Sequence, residues 1–163
     1  MFGSHPARRT TLAALAATLV LSASAGYAAA GECPAGKVMA GALTSGPDKP
    51  AGVTDTVIAS IDLTPKGGDF TNQLLRMRQL TIAPGGIVPW HEHSVRPANI
   101  YILSGTIEEY RASCSVPIVH KAGDVAVEFG KDFAHWWKNT GTEPVVLLSA
   151  DIFQNKDADE HMM

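Results

Sequence analysis

Short apolar runs separated by turn residues recur from Thr54 onward: Thr56 to Leu63, Leu74 to Ile82, Ala98 to Leu103, Thr106 to Tyr110, Pro117 to His120, Val125 to Phe129, His135 to Lys138 and Val145 to Phe153. Between them lie Pro65-Lys66-Gly67-Gly68, Pro84-Gly85-Gly86, Ser104-Gly105, Ala122-Gly123-Asp124 and Asn139-Thr140-Gly141, each a turn signal. Strand-length runs with turns at this spacing predict an all-β sandwich or small barrel. Leu74 to Met77 has helical propensity, but the apolar alternation through Leu80 and Ile82 favours a strand. No long amphipathic helix is evident. Residues 31–53 open with a stretch rich in Gly, Pro, Ala and Ser and predict an extended arm lying on a single domain, 54–153. Residues 154–163 are polar and acidic and predict a loose tail.

Residues 1–30 have the layout of an export signal. Arg8 and Arg9 supply a positive n-region, Leu12 to Leu21 an apolar h-region, and Ala28-Ala29-Ala30 a small-residue cleavage site after Ala30. The apolar run falls short of the roughly 20 residues that span a bilayer, so the expectation is a periplasmic or secreted protein with no membrane attachment after removal of the signal. Arg8-Arg9 followed by Thr10-Thr11-Leu12 partly resembles a twin-arginine signal; the general secretory route stays open. Loss of those two arginines turns 13 basic and 16 acidic residues into 11 and 16, a formal charge of −5. Such a chain has no basic surplus for phosphates, which argues against nucleic acid and for a small-molecule ligand or a protein partner. In an oxidising compartment the 2 cysteines, Cys33 and Cys114, are expected to pair and to pin the arm.

The segment Gly85 to His93 carries the chemistry. On a helix, residues two apart point in opposed directions, whereas on a strand they share a face, close enough to chelate one ion. Gly85, Gly86 and Pro89 disfavour a helix, so His91 and His93 are expected to point into the barrel and Glu92 outward.

The spacing continues in a way that resembles the cupin family. Gly85, five residues, His91-x-His93 and a strand ending at Gly105 are similar to the first cupin motif; Ala122-Gly123-Asp124 opens the second, and His135, three residues, Asn139 closes it. The resemblance implies an antiparallel jelly-roll β-barrel. It also implies that His91, His93 and His135 are metal ligands, while the position of the family's glutamate falls on Ala98 and the glycine around Phe129-Gly130-Lys131 is out of step. Three neutral imidazoles leave a divalent charge uncompensated, so the expected cofactor is Fe, Zn, Ni or Cu rather than Mn. Arg96, Tyr101 and Trp137 are candidate pocket residues. Of Glu108 and Glu109, one is a candidate inward carboxylate, with a solvated strand face the plainer reading; His120 is read as a surface residue or as one supporting the ligands. The expected function is a metal-binding cupin, catalytic as a small-molecule oxygenase or else a non-catalytic periplasmic binder of a metal or small polar ligand. A homodimer is possible through the Trp-rich surface around Trp90 and Trp136.

Overall fold

In the computed structural model, Met1 and residues 31–155 are described; the expected export signal and nearly all of the expected tail lie outside them. The strands are β1 (Ala51–Asp62), β2 (Gln73–Glu92), β3 (Ala98–Ser104), β4 (Thr106–Arg111), β5 (Ile118–Lys121), β6 (Val125–Glu128), β7 (Ala134–Lys138) and β8 (Val145–Gln154). Two 3₁₀ turns, Thr64–Lys66 and Gly68–Phe70, join β1 to β2. All strand pairs are antiparallel, in the order β5-β4-β7-β2-β8-β3-β6 with β1 on the other side of β2, which gives the non-sequential neighbours of a jelly-roll barrel. Among the described residues no helix is long and apolar enough to cross a membrane.

The expected turn at Pro84-Gly85-Gly86 is instead a bend within one 20-residue strand. The first part of β2 pairs with β8 from Gln73 to Ile82, and the second pairs with β7 from Ile87 to Glu92. Gly85 has φ +76°, and a Cβ on Gly86 would lie 2.6 Å from Ile82 Cγ2 and 2.7 Å from the Ala83 carbonyl, so the corner accepts only glycine without rearrangement. Asn139 staples it: its backbone accepts from Gly85 N at 2.9 Å and donates to Gly86 O at 3.0 Å, and its side-chain amide donates to Ile82 O at 3.0 Å.

The barrel has an apolar half and a polar half. Ile82, Ile102, Ile107, Val145, Leu147 and Trp137 fill the first, each isoleucine contributing about 1.5–3 kcal/mol of burial. Toward the other end, β8 alternates Ser149 and Asp151 into the interior. Asp151 accepts a two-pronged contact from Arg76 at 3.0 and 2.7 Å, and Arg78 lies between Asp151 and Asp55. Polar side chains at inward strand positions are where a fold departs from the plain in-out rule, and they surround the site below.

The arm is tied down. Cys33 and Cys114 are disulfide-bonded. Met39 N donates to Ser113 O and Ser115 N to Lys37 O, both at 2.9 Å, and Trp90 N donates to Pro47 O at 2.8 Å. Trp136, outward on β7, stacks on Tyr110 with centroids 4.0 Å apart and packs beneath Gly46.

Candidate metal centre

His91 sits opposite His135 across the β2–β7 ladder. The register advances three residues on β2 from Val88 to His91 but only two on β7 from Trp137 to His135, a β-bulge at Pro89-Trp90. Without that extra residue the inward position after Val88 would be Trp90. The bulge moves the histidines inward instead, leaving Glu92 exposed, and the Pro89 carbonyl accepts from His91 Nδ1 at 2.8 Å.

The structure brings His91, His93 and His135 together and adds a fourth group that the motif spacing does not reveal. Glu128, 2% exposed at the end of β6, places a carboxylate among them, and one ligand atom from each of the four residues lies within 4.8 Å of the others. Its origin is a matter of register. Ala98, standing where the family's motif carries glutamate, is the direct cross-strand partner of Glu128. Directly opposed residues project on the same face of a sheet, with Cβ atoms about 5 Å apart, so a carboxylate on β6 reaches the space that one on β3 would have filled. The expectation of a three-histidine cluster without a carboxylate is thereby corrected. Alternation on Val125-Ala126-Val127-Glu128, which turns Ala126 and Glu128 inward, was the available signal.

Each imidazole has its Nδ1 proton engaged behind it. His91 donates to Pro89 O at 2.8 Å, His93 to Arg96 O at 2.7 Å, and His135 to Glu109 Oε1 at 2.7 Å. Carbonyl and carboxylate oxygens only accept, so Nδ1 carries a proton in all three and Nε2 is the atom turned toward the cluster. The Nε2 atoms of His91 and His135 are 3.2 Å apart, and His93 Nε2 lies 3.1 Å from Glu128 Oε2. His93 Nε2 and Glu128 Oε1 are buried with no hydrogen-bond partner among the described residues. Buried acceptors converging without a donor are costly unless a cation joins them, and nitrogens each about 2.1 Å from one ion stand roughly 3.0–3.4 Å apart. The donor set fits a divalent metal.

Burial, then the neighbouring His135 and His93, holds His91 well below the ordinary imidazole range. Burial likewise takes His93 down to about 3, with His135 next in effect, and pushes Glu128 up to about 7. His91 and His93 are therefore neutral, as ligation requires.

Behind His135 stands Glu109, fully buried. It is opposite Trp137 and Ile118 on the flanking strands, so His135 and His120 are its diagonal neighbours on the inner face. Arg111 donates to both of its oxygens at 2.7 and 2.8 Å, and His120 Nε2 donates at 3.0 Å. Burial alone would raise the Glu109 pKa, but the hydrogen bonds from His120, His135 and Arg111 outweigh it and hold the carboxyl well below the usual range. Glu109 thus points inward, not to solvent, and acts on a ligand rather than as one. Glu108 takes the outward position and accepts from Tyr110 at 2.6 Å.

Of the three candidate pocket residues, only Trp137 lines the small cavity beside the cluster, with Val88, His91, Ile100, Glu128 and Leu147. That cavity has room for a water or an ion. Tyr101 is 43% exposed on the outer face, because Ile100 and Ile102 take the inward positions of β3. Arg96 is half-buried outside that lining; burial, then the like charge of Arg78, lowers its pKa.

The family model for the cupin domain matches residues 78–151, from the interior arginine of β2 to the interior aspartate of β8. These residues form a cupin domain. A curated relative, germin-like protein 5-1 of Oryza sativa subsp. japonica, is 32% identical over 77 residues, covering 45% of this chain; the cupin spans only 34% of that protein's length. Among solved structures, a predicted oxalate decarboxylase from Thermotoga maritima matches with TM-score 0.50 at 18% identity, over 72% of this cupin and 98% of that chain. A double-stranded β-helix protein from Klebsiella pneumoniae matches with TM-score 0.49 at 18% identity, over 66% and 84%. At these identities the structural likeness speaks to fold alone.

Proposed function

We propose that this cupin is an exported protein that holds one divalent transition metal on His91, His93, Glu128 and His135 and uses it to bind and activate a small, oxygen-rich, anionic molecule. The observation that carries this reading is the convergence of four ligand atoms within 4.8 Å, with the rear nitrogen of every imidazole already engaged. A carboxylate in the ligand set removes the reason to disfavour Mn, which joins Fe, Zn, Ni and Cu as a candidate.

A bound metal would act as a Lewis acid toward oxygen atoms of the ligand. The chain's own residues do the rest. Glu109 fixes the His135 ring and, by accepting from Nδ1, raises the electron density at Nε2. Val88, Ile100, Trp137 and Leu147 wall the centre with apolar surface and limit water. Arg96, whose carbonyl orients His93, follows that ligand by three residues and is the candidate partner for a substrate carboxylate. Small-acid chemistry is also what the name of the Thermotoga maritima relative suggests. A non-catalytic binder is the second reading, favoured because the residues lining the cavity offer no acid or base beyond the ligands themselves. Export is supported by the signal layout of residues 1–30 and by the Cys33–Cys114 disulfide.

The test is elemental analysis of protein purified without chelator or affinity metal, beside His135→Ala. About one Mn, Fe, Ni, Cu or Zn per chain, lost in the variant, is expected, followed by an oxygen-consumption and decarboxylation screen over small acids, thiols and diketones. Metal absent from the wild type and not taken up on addition would refute the reading.

A further inference from the structure

Arg111 stands directly opposite His135 across β4 and β7, on the same inner face of the sheet. Its buried guanidinium faces two ways. Toward the metal centre, Nε and Nη2 donate to the two oxygens of Glu109 at 2.7 and 2.8 Å. On that side Cζ also lies 4.7 Å from the centre of the Phe133 ring, which packs edge-on against His93 and His135 with centroids 5.7 and 5.1 Å away. Toward the arm, Nη2 donates to Gly31 O at 3.2 Å and Nη1 to Glu32 Oε2 at 3.4 Å.

The arm side of this arrangement depends on the disulfide. Cys33 follows Glu32 directly, and the Cys114 amide donates to the Arg111 carbonyl at 3.0 Å, so the Cys33–Cys114 bond closes on the arginine from both sides. Further along, the arm has bonds of its own: Met39 N to Ser113 O and Ser115 N to Lys37 O, both at 2.9 Å, and Ser115 Oγ to Lys37 O at 3.0 Å. Gly31 and Glu32 have none of these. Among the described residues their hydrogen bonds are to Arg111 alone, at distances long enough to be weak without a covalent tether beside them. Cys33 is half-buried whereas Cys114 is 2% exposed, so an incoming thiolate meets Cys33 first.

We propose that the arm is a redox-releasable latch on the metal centre, with Arg111 as the positioning residue that transmits it. A thiolate of a dithiol reductant attacks Cys33 Sγ, the S–S bond breaks, and Cys114 Sγ leaves. The reductant's second thiol then displaces Cys33 and closes the reductant's own disulfide; two electrons and two protons have passed to Cys33 and Cys114. Gly31 and Glu32 lose their tether while Lys37 and Met39 stay docked. Arg111 is then left with two of its four polar contacts, those to Glu109, and water reaches them. Glu109 and Phe133 in turn hold His135 and His93 less firmly. Loss of a group that supports a ligand imidazole weakens metal binding by about 10- to 100-fold, so this indirect release is expected to cost about tenfold. By linkage, bound metal disfavours reduction of the disulfide by the same factor. The latch rests on the metal reading above.

The test is Ni(II) affinity, by competition with a chromophoric chelator, in wild type and in Cys33→Ser/Cys114→Ser, which has no thiol to bind the ion; circular dichroism checks that both are folded. The variant is expected to bind about tenfold more weakly, and equal affinity overturns the latch. In an Arg111→Lys background, removing the disulfide is expected to add less than about threefold, because the route through Arg111 is already broken; an undiminished loss would assign the effect to general loosening and overturn the role of Arg111. Metal-free wild type gives a second readout that needs no variant. Reduction with a water-soluble phosphine is expected to speed amide hydrogen exchange in β4 and β7 at least about fivefold, with β3 unchanged as the reference; unchanged exchange in β4 and β7 overturns the latch. Ni(II) bound by neither form would refute the metal reading, and hydrogen exchange then decides the latch separately.

Discussion

Replacing Glu128 by Gln should change the stability of the protein in opposite directions with and without metal. In the metal-free protein the carboxylate is 2% exposed beside three imidazoles, and burial pushes its pKa from 4.5 up to about 7. A folded-state pKa above the unfolded one means that ionisation opposes folding. The penalty is absent below the unfolded value, grows as pH rises between the two, and is complete above the folded value. A shift of this size corresponds to about 3 kcal/mol. Above about pH 7.5, metal-free Glu128→Gln should therefore melt higher than metal-free wild type by roughly 5–10 °C, and the difference should vanish near pH 4. With a divalent ion the sign reverses. At an effective dielectric of about 20, a unit charge about 3 Å from a divalent ion is attracted by roughly 11 kcal/mol, against which stand several kcal/mol of desolvation and the part of the bond that an amide oxygen retains. A net loss of about 3 kcal/mol weakens metal binding by roughly two decades. Differential scanning fluorimetry across pH, in chelator and in saturating Mn, Zn or Ni, reads both effects. A variant that melts lower than wild type in chelator at high pH, or one with unchanged metal affinity, would refute the assignment of Glu128 as the missing carboxylate.

Glu109→Gln should weaken metal binding by about 10- to 100-fold through the loosened His135, measurable by competition with a chromophoric chelator. Because Glu109 is held below the usual carboxylate range, its contribution to folding is complete above the ordinary carboxylate pKa and lost as pH falls through the lower folded value; the melting gap between Glu109→Gln and wild type in chelator should shrink as the solution is acidified below about pH 4. Removing the disulfide as Cys33→Ser/Cys114→Ser opens a connection with a sequence separation of 81 residues and should cost about 4 kcal/mol in urea unfolding. Asp151→Asn strips the buried counter-charge from Arg76 and Arg78 and should cost about 3–5 kcal/mol by the same assay, whereas an exposed substitution such as Glu92→Gln should change stability by less than about 0.5 kcal/mol.

Much of this molecule is legible from its residues in order. Turn chemistry at Gly105, Gly123 and Asn139-Thr140-Gly141 separates runs too short for helices, so every strand from β3 to β8 falls within a residue or so of its apolar run. His91, on β2, and His93, one residue past its end, turn to the same side because the local backbone, with its glycines and proline, disfavours a helix. Cys33 and Cys114 are the 2 cysteines of the chain, and they pair. What the tertiary structure alone decides is everything that depends on lateral register. The Pro84-Gly85-Gly86 corner reads locally as a turn, yet β8 and β7 pair with its two sides and make it a bend. Glu128 is 30 residues from Ala98 in sequence but its direct partner across β3–β6, so the carboxylate that the motif lacks on one strand is present on the next. Glu109 and Glu108 are indistinguishable as neighbours on β4, and only the pairing of β4 with β5 and β7 turns Glu109 toward His120 and His135. A strand's own sequence sets the alternation of its side chains, but which groups meet across the sheet is set by pairings between residues far apart in the chain, and those exist only once the barrel has closed.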